Sequence, residues 1–146
     1  MKLEISGEFK KPTDHAGLVA AVSNGMQIGL AKTASYIQTN KLSGQVLHHR
    51  TGNLKRSVMS SVEVESSGEE VIGKIGGKIY GLYNELGAEI YPKRAKMLRF
   101  TKNGKVIYAK HVHLPARPWL KPGLEECREL LFKAIVSKLR EAAHAS

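Results

Sequence analysis

The longest regular pattern in the chain is a run of apolar residues at spacings of three and four, from Val19 to Ile37. This spacing predicts a long helix that begins near Thr13 or Asp14, either of which can cap the free amides, and ends near Asn40. After its start the helix carries a single lysine and no acidic residue. We expect a helix with so few charges to be covered on more than one side.

Two glycines four residues apart, Gly25 and Gly29, lie inside this predicted helix. Because glycine has no side chain, another backbone can approach the helix closely at these positions. That backbone could belong to the domain's own sheet or to a neighbouring subunit, and the sequence leaves both alternatives open.

Alternating apolar and polar residues predict several short strands. The alternation occurs at residues 3–9, at residues 58–65 and at residues 70–77, and the last two form a hairpin across a short turn. A second hairpin is predicted within residues 96–115, because Asn103–Gly104 is a strong signal for a two-residue turn between strands.

Two further stretches predict helices. The first is short, ends at Gly87 and has four apolar residues on one side. These residues are Ile79, Leu82, Tyr83 and Leu86. The second is an amphipathic helix over residues 121–146, with Pro122 in its first turn and Cys127 on its apolar side.

Together these elements predict one α+β domain over residues 1–146. We expect an antiparallel sheet of about four to five strands, packed by the long N-terminal helix and the C-terminal helix. Residues 39–52 contain Gly44 and Gly52 and are expected to form a flexible loop. Residues 93–113 are expected to project from the domain as a basic β-hairpin.

The chain carries a formal net charge of +10, and much of the excess falls in the second predicted hairpin. Residues 93–110 contain 7 basic residues and no acidic residue. A local charge of this size favours phosphate backbones or an acidic protein surface, although a solvated hairpin that aids solubility has the same composition. The candidates for DNA contact are Lys93, Arg94, Lys96, Arg99, Lys102, Lys105 and Lys110.

Two aromatic residues of the same hairpin, Phe100 and Tyr108, allow two interpretations. Their rings can stack on bases, or they can pack across the hairpin, which is the more usual arrangement. The hairpin lacks the aromatic-rich sheet motif of common RNA-binding folds. We therefore expect cross-strand packing.

The sequence offers little support for catalysis. It contains no nucleophile elbow, no HExxH and no paired-carboxylate pattern, so we expect a protein that is not an enzyme and has no cofactor. Cys127 is the only cysteine and is expected to be a small core residue. The pairs His48–His49 and His111–His113 have no acid nearby in sequence, so we interpret them as surface residues rather than metal ligands.

Residues 114–124, LPARPWLKPGL, combine stiff and bulky residues just before the final helix. Pro115 and Pro118 restrict the residues that precede them and hold the chain extended. Trp119 and Leu120 supply a large apolar surface, and complete burial contributes on the order of 1.5–3 kcal/mol for each. This combination predicts an anchor that seats the last helix rather than a catalytic loop.

We also expect an ion pair between Arg117 of this anchor and Glu85 in the short helix. The two residues carry opposite charges and lie in two different motifs, IYGLYNELGA and LPARPWLKPGL. If they pair, reversing the charge of Arg117 destabilises the fold or the assembly, and the reverse change at Glu85 restores it.

Residues 51–57, TGNLKRS, are interpreted as a capped turn. Thr51 or Asn53 provides the cap, Leu54 points into the core, and the two basic residues after Leu54 face outward. The alternative interpretation adds a contact from this turn to DNA or to an adjacent subunit.

Three segments occur in one order: TGNLKRSV at residues 51–58, IYGLYNELGA at residues 79–88 and LPARPWLKPGL at residues 114–124. Together they resemble the tail-component, or neck, family of long-tailed bacteriophages and prophages, over roughly residues 15–140. The chain departs from the family pattern with Trp119 where Phe is usual and with Leu86 before the glycine, and both keep an apolar side chain. The residues that carry the resemblance are Thr51, Gly52, Leu54, Ser57, Tyr80, Glu85, Gly87, Arg117, Pro118, Trp119, Leu120 and Pro122.

The resemblance implies a structural part of the virion that acts in tail completion or head–tail joining. It implies a homo-oligomer, commonly a six-fold ring at the tail end that meets the head, with head-connector or tail-tube proteins as neighbours. A ring that encloses the DNA channel would give the basic hairpin a purpose, as a nonspecific contact with DNA. Assembly would take place in the cytoplasm of the bacterial host. No apolar run approaches the roughly 20 residues of a membrane span, so we expect no membrane partner. The alternative is a small basic nucleic-acid-binding module.

Overall fold

The computed structural model describes residues 15–48, 51–68 and 70–144, and its fold is α+β, as predicted. The helices are α1 His15–Asn40, α2 Asn53–Ser60, α3 Ile79–Leu86, α4 Leu120–Glu126 and α5 Arg128–His144. The strands are β1 Glu63–Ser66, β2 Val71–Lys74, β3 Ala88–Ile90, β4 Leu98–Lys102, β5 Lys105–Ala109 and β6 Val112–Leu114. The predicted strand at residues 3–9 and the predicted caps Thr13 and Asp14 lie outside the described residues.

Helices α1 and α5 pack in antiparallel orientation, with two glycines at their contact. A Cβ atom built on Gly25 would lie 2.5 Å from the Cα atom of Ile135, and one built on Gly29 would lie 2.5 Å from Leu131 Cδ1. The close approach at Gly25 and Gly29 is therefore made by α5, and neither of the two predicted alternatives, a sheet or a neighbouring subunit, is correct. The reason is that an amphipathic helix with Leu131 and Ile135 on its buried side fits the groove that the glycines leave.

The core has two parts, one against the C-terminal end of α1 and one against its middle. One consists of Ala34, Ile37, Leu42, Leu47, Val58 and Trp119. The other consists of Met26, Leu30, Leu131 and Ile135. Helix α1 contacts α5, α2, α4 and both strands of the β1–β2 hairpin, so the prediction that it is covered on more than one side is confirmed.

The strands form three separate two-stranded antiparallel sheets within the described residues, and not one sheet of four to five strands. Pairing is β1 with β2, β3 with β6, and β4 with β5. The β4–β5 hairpin is inserted between β3 and β6, so it continues outward from the short β3–β6 ladder.

The predicted strand over residues 58–65 is correct only in its second half. Residues up to Ser60 belong to α2, and β1 begins at Glu63. Val58 is buried and lies one helical turn after Leu54, which also packs against the core. This spacing of four suits a helix, and the alternation that suggested a strand is produced by serines that bond to their own helix.

Residues 41–48, in the first part of the predicted flexible loop, form a series of turns. Leu42 and Leu47 of this segment are buried in the core beside Ile37. The backbone N–H groups of Val46 and Leu47 donate to the carbonyl of Lys41, which closes the turn. Residues 49 and 50 lie outside the described part of the chain.

The predicted final helix consists of two helices that meet at Cys127. The Cys127 N–H donates to the Gly123 carbonyl at 3.2 Å, and the Cys127 carbonyl accepts from the Leu131 N–H at 3.0 Å. Cys127 is buried, as predicted, and its burial raises the pKa of the thiol. A Cβ atom at Gly123 would lie 2.6 Å from Ile37 Cγ1, so α4 approaches the C-terminal half of α1 closely.

Glu126 fixes the end of α4 to the end of α1. Its carboxylate accepts a hydrogen bond from the Tyr36 hydroxyl, and Lys41 Nζ lies 2.6 Å from Glu126 Oε1. The hydrogen bond from Lys41, and then that from Tyr36, lower the pKa of Glu126, and the same carboxylate raises the pKa of Tyr36. This contact fixes the C-terminal end of α4, the short helix that connects the core residue Trp119 to α5.

We predict that Gly25→Ala destabilises the protein by about 1–3 kcal/mol, as is typical of overpacking. The added methyl group meets the backbone of α5, which cannot rotate away, and this outweighs the helix propensity of alanine, worth about 1 kcal/mol. Urea unfolding of both chains measures the difference. Gly76→Ala is the control, because a Cβ atom there meets nothing within 4 Å. Equal stability of the two variants would contradict this packing.

Candidate functional site

Trp119 is buried where the three sequence motifs meet. Its side chain is 2% exposed and belongs to the same core cluster as Ile37 and Val58. The indole Nε1–H donates to the Gly81 carbonyl at 2.9 Å, so the only polar atom of the ring is satisfied. The buried indole agrees with the interpretation of residues 114–124 as an anchor.

The three motifs contact one another around this ring. A Cβ atom on Gly81 would lie 2.7 Å from Leu54 Cδ1 and 2.9 Å from Trp119 Cζ2, so α3 can lie against α2 and Trp119 only with glycine there. The Ser57 hydroxyl accepts a hydrogen bond from the Lys78 N–H at 3.1 Å. The motif residues therefore define one joint between α2, α3 and α4.

The side chain of Glu85 binds the main chain at the start of α4. Its carboxylate accepts the backbone N–H groups of Trp119 at 2.6 Å, Leu120 at 2.8 Å and Lys121 at 3.0 Å. The first amides of a helix have no partner inside it, and α4 has no capping side chain of its own. Glu85 thus caps α4 from a different helix.

The predicted ion pair between Arg117 and Glu85 is wrong. The ion pairs among the described residues do not include it, because the Glu85 carboxylate is occupied by the amides of α4. Arg117 contacts α3 through its main chain instead, since its backbone N–H donates to the Asn84 carbonyl at 2.6 Å. The side chain of Arg117 is exposed.

The turn before α2 agrees with the prediction only in part. The N-cap residue is Gly52, in the left-handed region at φ 72°. Thr51 Oγ1 accepts the N–H of Asn53, the first residue of α2, at 3.5 Å, whereas the Asn53 side chain does not cap the helix. The Asn53 side-chain oxygen accepts from Arg56 Nη2 at 2.6 Å, so it is not available to the amides. A glycine cap needs no side chain, because it tolerates the positive φ that reverses the chain here.

The remaining motif residues flank the joint. Gly87 ends α3 at φ 77°, and a Cβ atom there would lie 3.0 Å from the Ala116 nitrogen. Leu120 and Pro122 are half-buried, whereas Tyr80 and Pro118 are exposed. Pro122 lies in the first turn of α4, as predicted.

Helix α3 directs its apolar side away from the protein. Ile79 is 65% exposed, Leu86 is 70% exposed, and Leu82 and Tyr83 of the same side are also exposed. The side that faces the core contains Gly81 and Glu85, which are the contacts of Trp119 and α4. The usual arrangement of an amphipathic helix, with the apolar side inward, is reversed here. Ile90 and Tyr91, which follow α3 in the chain, extend this exposed apolar surface.

Every residue of the segment 93–113 is exposed or half-buried, so the hairpin projects. All seven candidates for DNA contact are exposed. They are Lys93, Arg94, Lys96, Arg99, Lys102, Lys105 and Lys110. Asn103 and Gly104 form the turn with φ of 52° and 74°, which is the backbone shape that this dipeptide favours between strands.

The register of the hairpin places Phe100 and Tyr108 on opposite faces, so each ring has a different cross-strand neighbour. Phe100 is opposite Ile107, and Tyr108 is opposite Arg99. Side chains alternate between faces along a strand, and only directly opposed residues share one. Tyr108 is 61% exposed, so its ring is accessible on the same face of the hairpin as Arg99.

The tip of the hairpin opposes two positive charges, since Lys102 pairs with Lys105 across the turn. Like charges directly opposite each other destabilise a strand pair. No ion pair among the described residues involves either lysine. An anion bound at the tip would relieve this repulsion.

The histidines of the stem between β3 and β6 have partners that the sequence did not suggest. Glu89 is directly opposite His113, and the two side chains bond to each other. The Tyr91 and His111 rings stack with centroids 5.7 Å apart. The pairing of β3 with β6 brings these residues together, and the separation of 24 residues hid it. Within the described residues no group of three or more His, Cys, Asp or Glu side chains is arranged to hold a metal ion.

A cleft of about 430 Å³ lies beside the joint, lined by residues from all three motifs. They include Thr51, Gly52, Leu54, Tyr80 and Arg117. The two parts of the candidate site are therefore the joint with its cleft and the α3 surface that continues into the basic hairpin.

The chain matches no protein-family model, and comparisons with curated proteins and with solved structures likewise found no match. The helices within the described residues lack the combination of length and apolar character that crossing a bilayer requires.

We predict that Glu85→Gln destabilises the protein by about 1–3 kcal/mol, because it replaces charge-assisted hydrogen bonds to the three amides at the start of α4, two of which are part-buried. Urea unfolding followed by the fluorescence of Trp119, the only tryptophan, measures the change. Glu89→Gln is the matched control, since that carboxylate bonds to His113 at the surface and its loss is expected to cost less than about 1 kcal/mol. Equal losses in the two variants would contradict the capping role of Glu85.

Proposed function

We propose that the chain is a structural component of the virion of a tailed bacteriophage, acting in tail completion or head–tail joining. It works as a homo-oligomeric ring around the DNA channel, beside head-connector or tail-tube proteins, and it assembles in the cytoplasm of the bacterial host. It acts by shape and contact rather than by catalysis. The order of the three motifs suggests this role, and the exposed surface of α3 is the structural observation that carries it.

The apolar side of α3 supports self-association. Four apolar side chains of one helix are exposed together, and the neighbouring Ile90 and Tyr91 enlarge the patch. An exposed apolar patch of this kind marks an interaction site more often than a free surface. Because Gly81 and Glu85 hold the opposite side of α3 against the core, the helix cannot rotate to bury these side chains within its own chain.

The basic hairpin supports a place at the DNA channel. A ring brings one hairpin from every copy toward a common region, and each carries Lys102 opposite Lys105 at its tip. Lysines at a flexible turn contact phosphates without reading sequence, which suits DNA that must pass through.

A second candidate function is a small basic nucleic-acid-binding module, which the exposed Tyr108 beside Arg99 favours. An accessible ring next to a guanidinium is suited to stacking on a base. This candidate requires measurable affinity of a monomer or dimer for DNA, with a steep dependence on salt. The ring requires assembly that depends on protein concentration and only weak, nonspecific DNA affinity.

We predict that Leu86→Glu raises the protein concentration needed for assembly at least tenfold, because a charge would be buried in an apolar interface. Light scattering across a concentration series measures assembly, and circular dichroism checks the fold. Ile72→Glu is the control, since Ile72 is also an exposed apolar residue but lies on β2, away from α3. The α3 interface is wrong if the wild-type chain stays monomeric or if both variants assemble equally.

We predict that changing Lys102 and Lys105 to Glu in the encoding phage reduces the titre of infectious particles at least tenfold. Two carboxylates would then repel the phosphates that pass the hairpin tip. Plaque assays and measurement of DNA ejection from purified particles provide the readout. Arg128→Glu, at an equally exposed position at the start of α5, is the control and should leave both unchanged. Undiminished titre and ejection in the double variant would exclude the channel role of the hairpin.

A further inference from the structure

The cleft beside the joint has an apolar interior and a positively charged mouth. Leu42 and Leu47, which line it, are buried, and Leu54 is half-buried. Another lining residue, Arg117, is exposed. The burial of these side chains therefore places leucines deep in the cleft and the Arg117 guanidinium at its edge.

No acidic residue is among the described residues that line the cleft, although Lys55 and Arg117 both do so. Lys55 donates one hydrogen bond, to the Ser43 hydroxyl at 2.7 Å. No described residue bonds to the Arg117 guanidinium, because the acid expected to pair with it, Glu85, is held by α4. A ligand that brings both apolar groups and carboxylates would match the whole cleft.

We propose that this cleft receives residues 3–9 of a neighbouring copy of the chain. The proposal rests on the self-association proposed above and names a second contact within it. Each subunit thereby extends its N-terminal segment onto the next subunit. The three motifs would then have a second role, because the joint that fixes α4 also forms part of the cleft that binds this segment.

The sequence of residues 3–9, LEISGEF, has the chemistry that the cleft requires. Between Lys2 and Lys10 it contains two glutamates and no basic residue. In an extended chain the apolar residues Leu3, Ile5 and Phe9 fall on one side and the two glutamates on the other. The apolar side is complementary to the leucines of the cleft, and the glutamates are complementary to the cations at its mouth.

The length of α1 places the donor of this segment in a different copy. The helix has 26 residues, about 39 Å at 1.5 Å per residue. His15, at its start, bonds to the Gly68 carbonyl, whereas the cleft includes Leu42, beyond its other end. The nine residues from Ser6 to His15 span at most about 30–32 Å when fully extended. The centre of the segment therefore cannot reach from His15 to the far end of α1, which favours a donor in a different copy.

Disulfide trapping between two full-length chains tests the proposal. One chain carries Ser6→Cys and the other, with a different affinity tag, carries Thr51→Cys, a substitution at an exposed residue that lines the cleft. The two chains are coexpressed, purified and oxidised. We expect a cross-linked heterodimer in at least tenfold higher yield than with Asn24→Cys, an exposed position on α1 that replaces Thr51→Cys in the control. The buried Cys127 is common to all arms.

Charge reversal tests the recognition itself. Arg117→Glu in the cleft chain should reduce the yield at least tenfold, and Glu4→Arg with Glu8→Arg in the other chain should restore it. Circular dichroism of each variant separates a lost contact from a lost fold, and restoration can occur only if the variants fold.

Two results would overturn the proposal. One is a yield no higher than that of the Asn24→Cys control. The other is a cross-link within a single chain that carries both Ser6→Cys and Thr51→Cys at high dilution. Light scattering of the same preparations distinguishes the two proposals, since assembly without the cross-link removes this inference and leaves the ring, whereas monomers without the cross-link remove both.

Discussion

The structure depends on the way one carboxylate and one indole fasten α4 to α3. Glu85 accepts the three free amides at the start of α4, while the Trp119 ring is buried and donates to the Gly81 carbonyl of the same helix. Charge-assisted bonds to main-chain amides are strong and directional, and the apolar burial around the ring adds free energy that has no direction. Together they set both the position and the rotation of α3. The orientation of β3 depends on this contact, because β3 follows α3 directly in the chain.

The same contact explains why an amphipathic helix presents its apolar side to the surroundings. If apolar burial alone decided the orientation of this eight-residue helix, Leu82 and Leu86 would face the core. That rotation would break the bonds of Glu85 and would carry Gly81 away from Trp119, where any larger residue would collide. The contacts that fix the joint therefore leave the apolar side of α3 exposed. The proposed ring would cover that surface, so the two requirements would not conflict.

The elements of this fold were largely predictable from local patterns, whereas their contacts were not. The periodicity of α1, the glycine that ends α3 and the Asn103–Gly104 turn are properties of consecutive residues, and each was correctly predicted. The pairing of β3 with β6 joins residues 24 apart that share no local signal. Similarly, charge alone favoured the pairing of Glu85 with an arginine, but Glu85 binds main-chain N–H groups. Because nearly every residue has such a group, the sequence does not indicate which of them Glu85 binds. The sequence therefore indicated the three motifs of the candidate site, but not the contacts between them.

The proposed ring has an electrostatic cost that its apolar contacts must offset. Each copy contributes seven basic residues and no acid over residues 93–110, and a ring brings these charges toward one another. Charges separated by more than about 8 Å are largely screened at physiological ionic strength, so the repulsion is strongest between neighbouring hairpin tips. DNA in the channel would neutralise it, but the ring must also hold before DNA enters. The α3 surface can stabilise the ring before DNA enters, because apolar attraction does not depend on whether the charges of the hairpins are neutralised. In the proposed ring, an exposed apolar helix and a basic hairpin in one continuous segment would therefore have complementary roles.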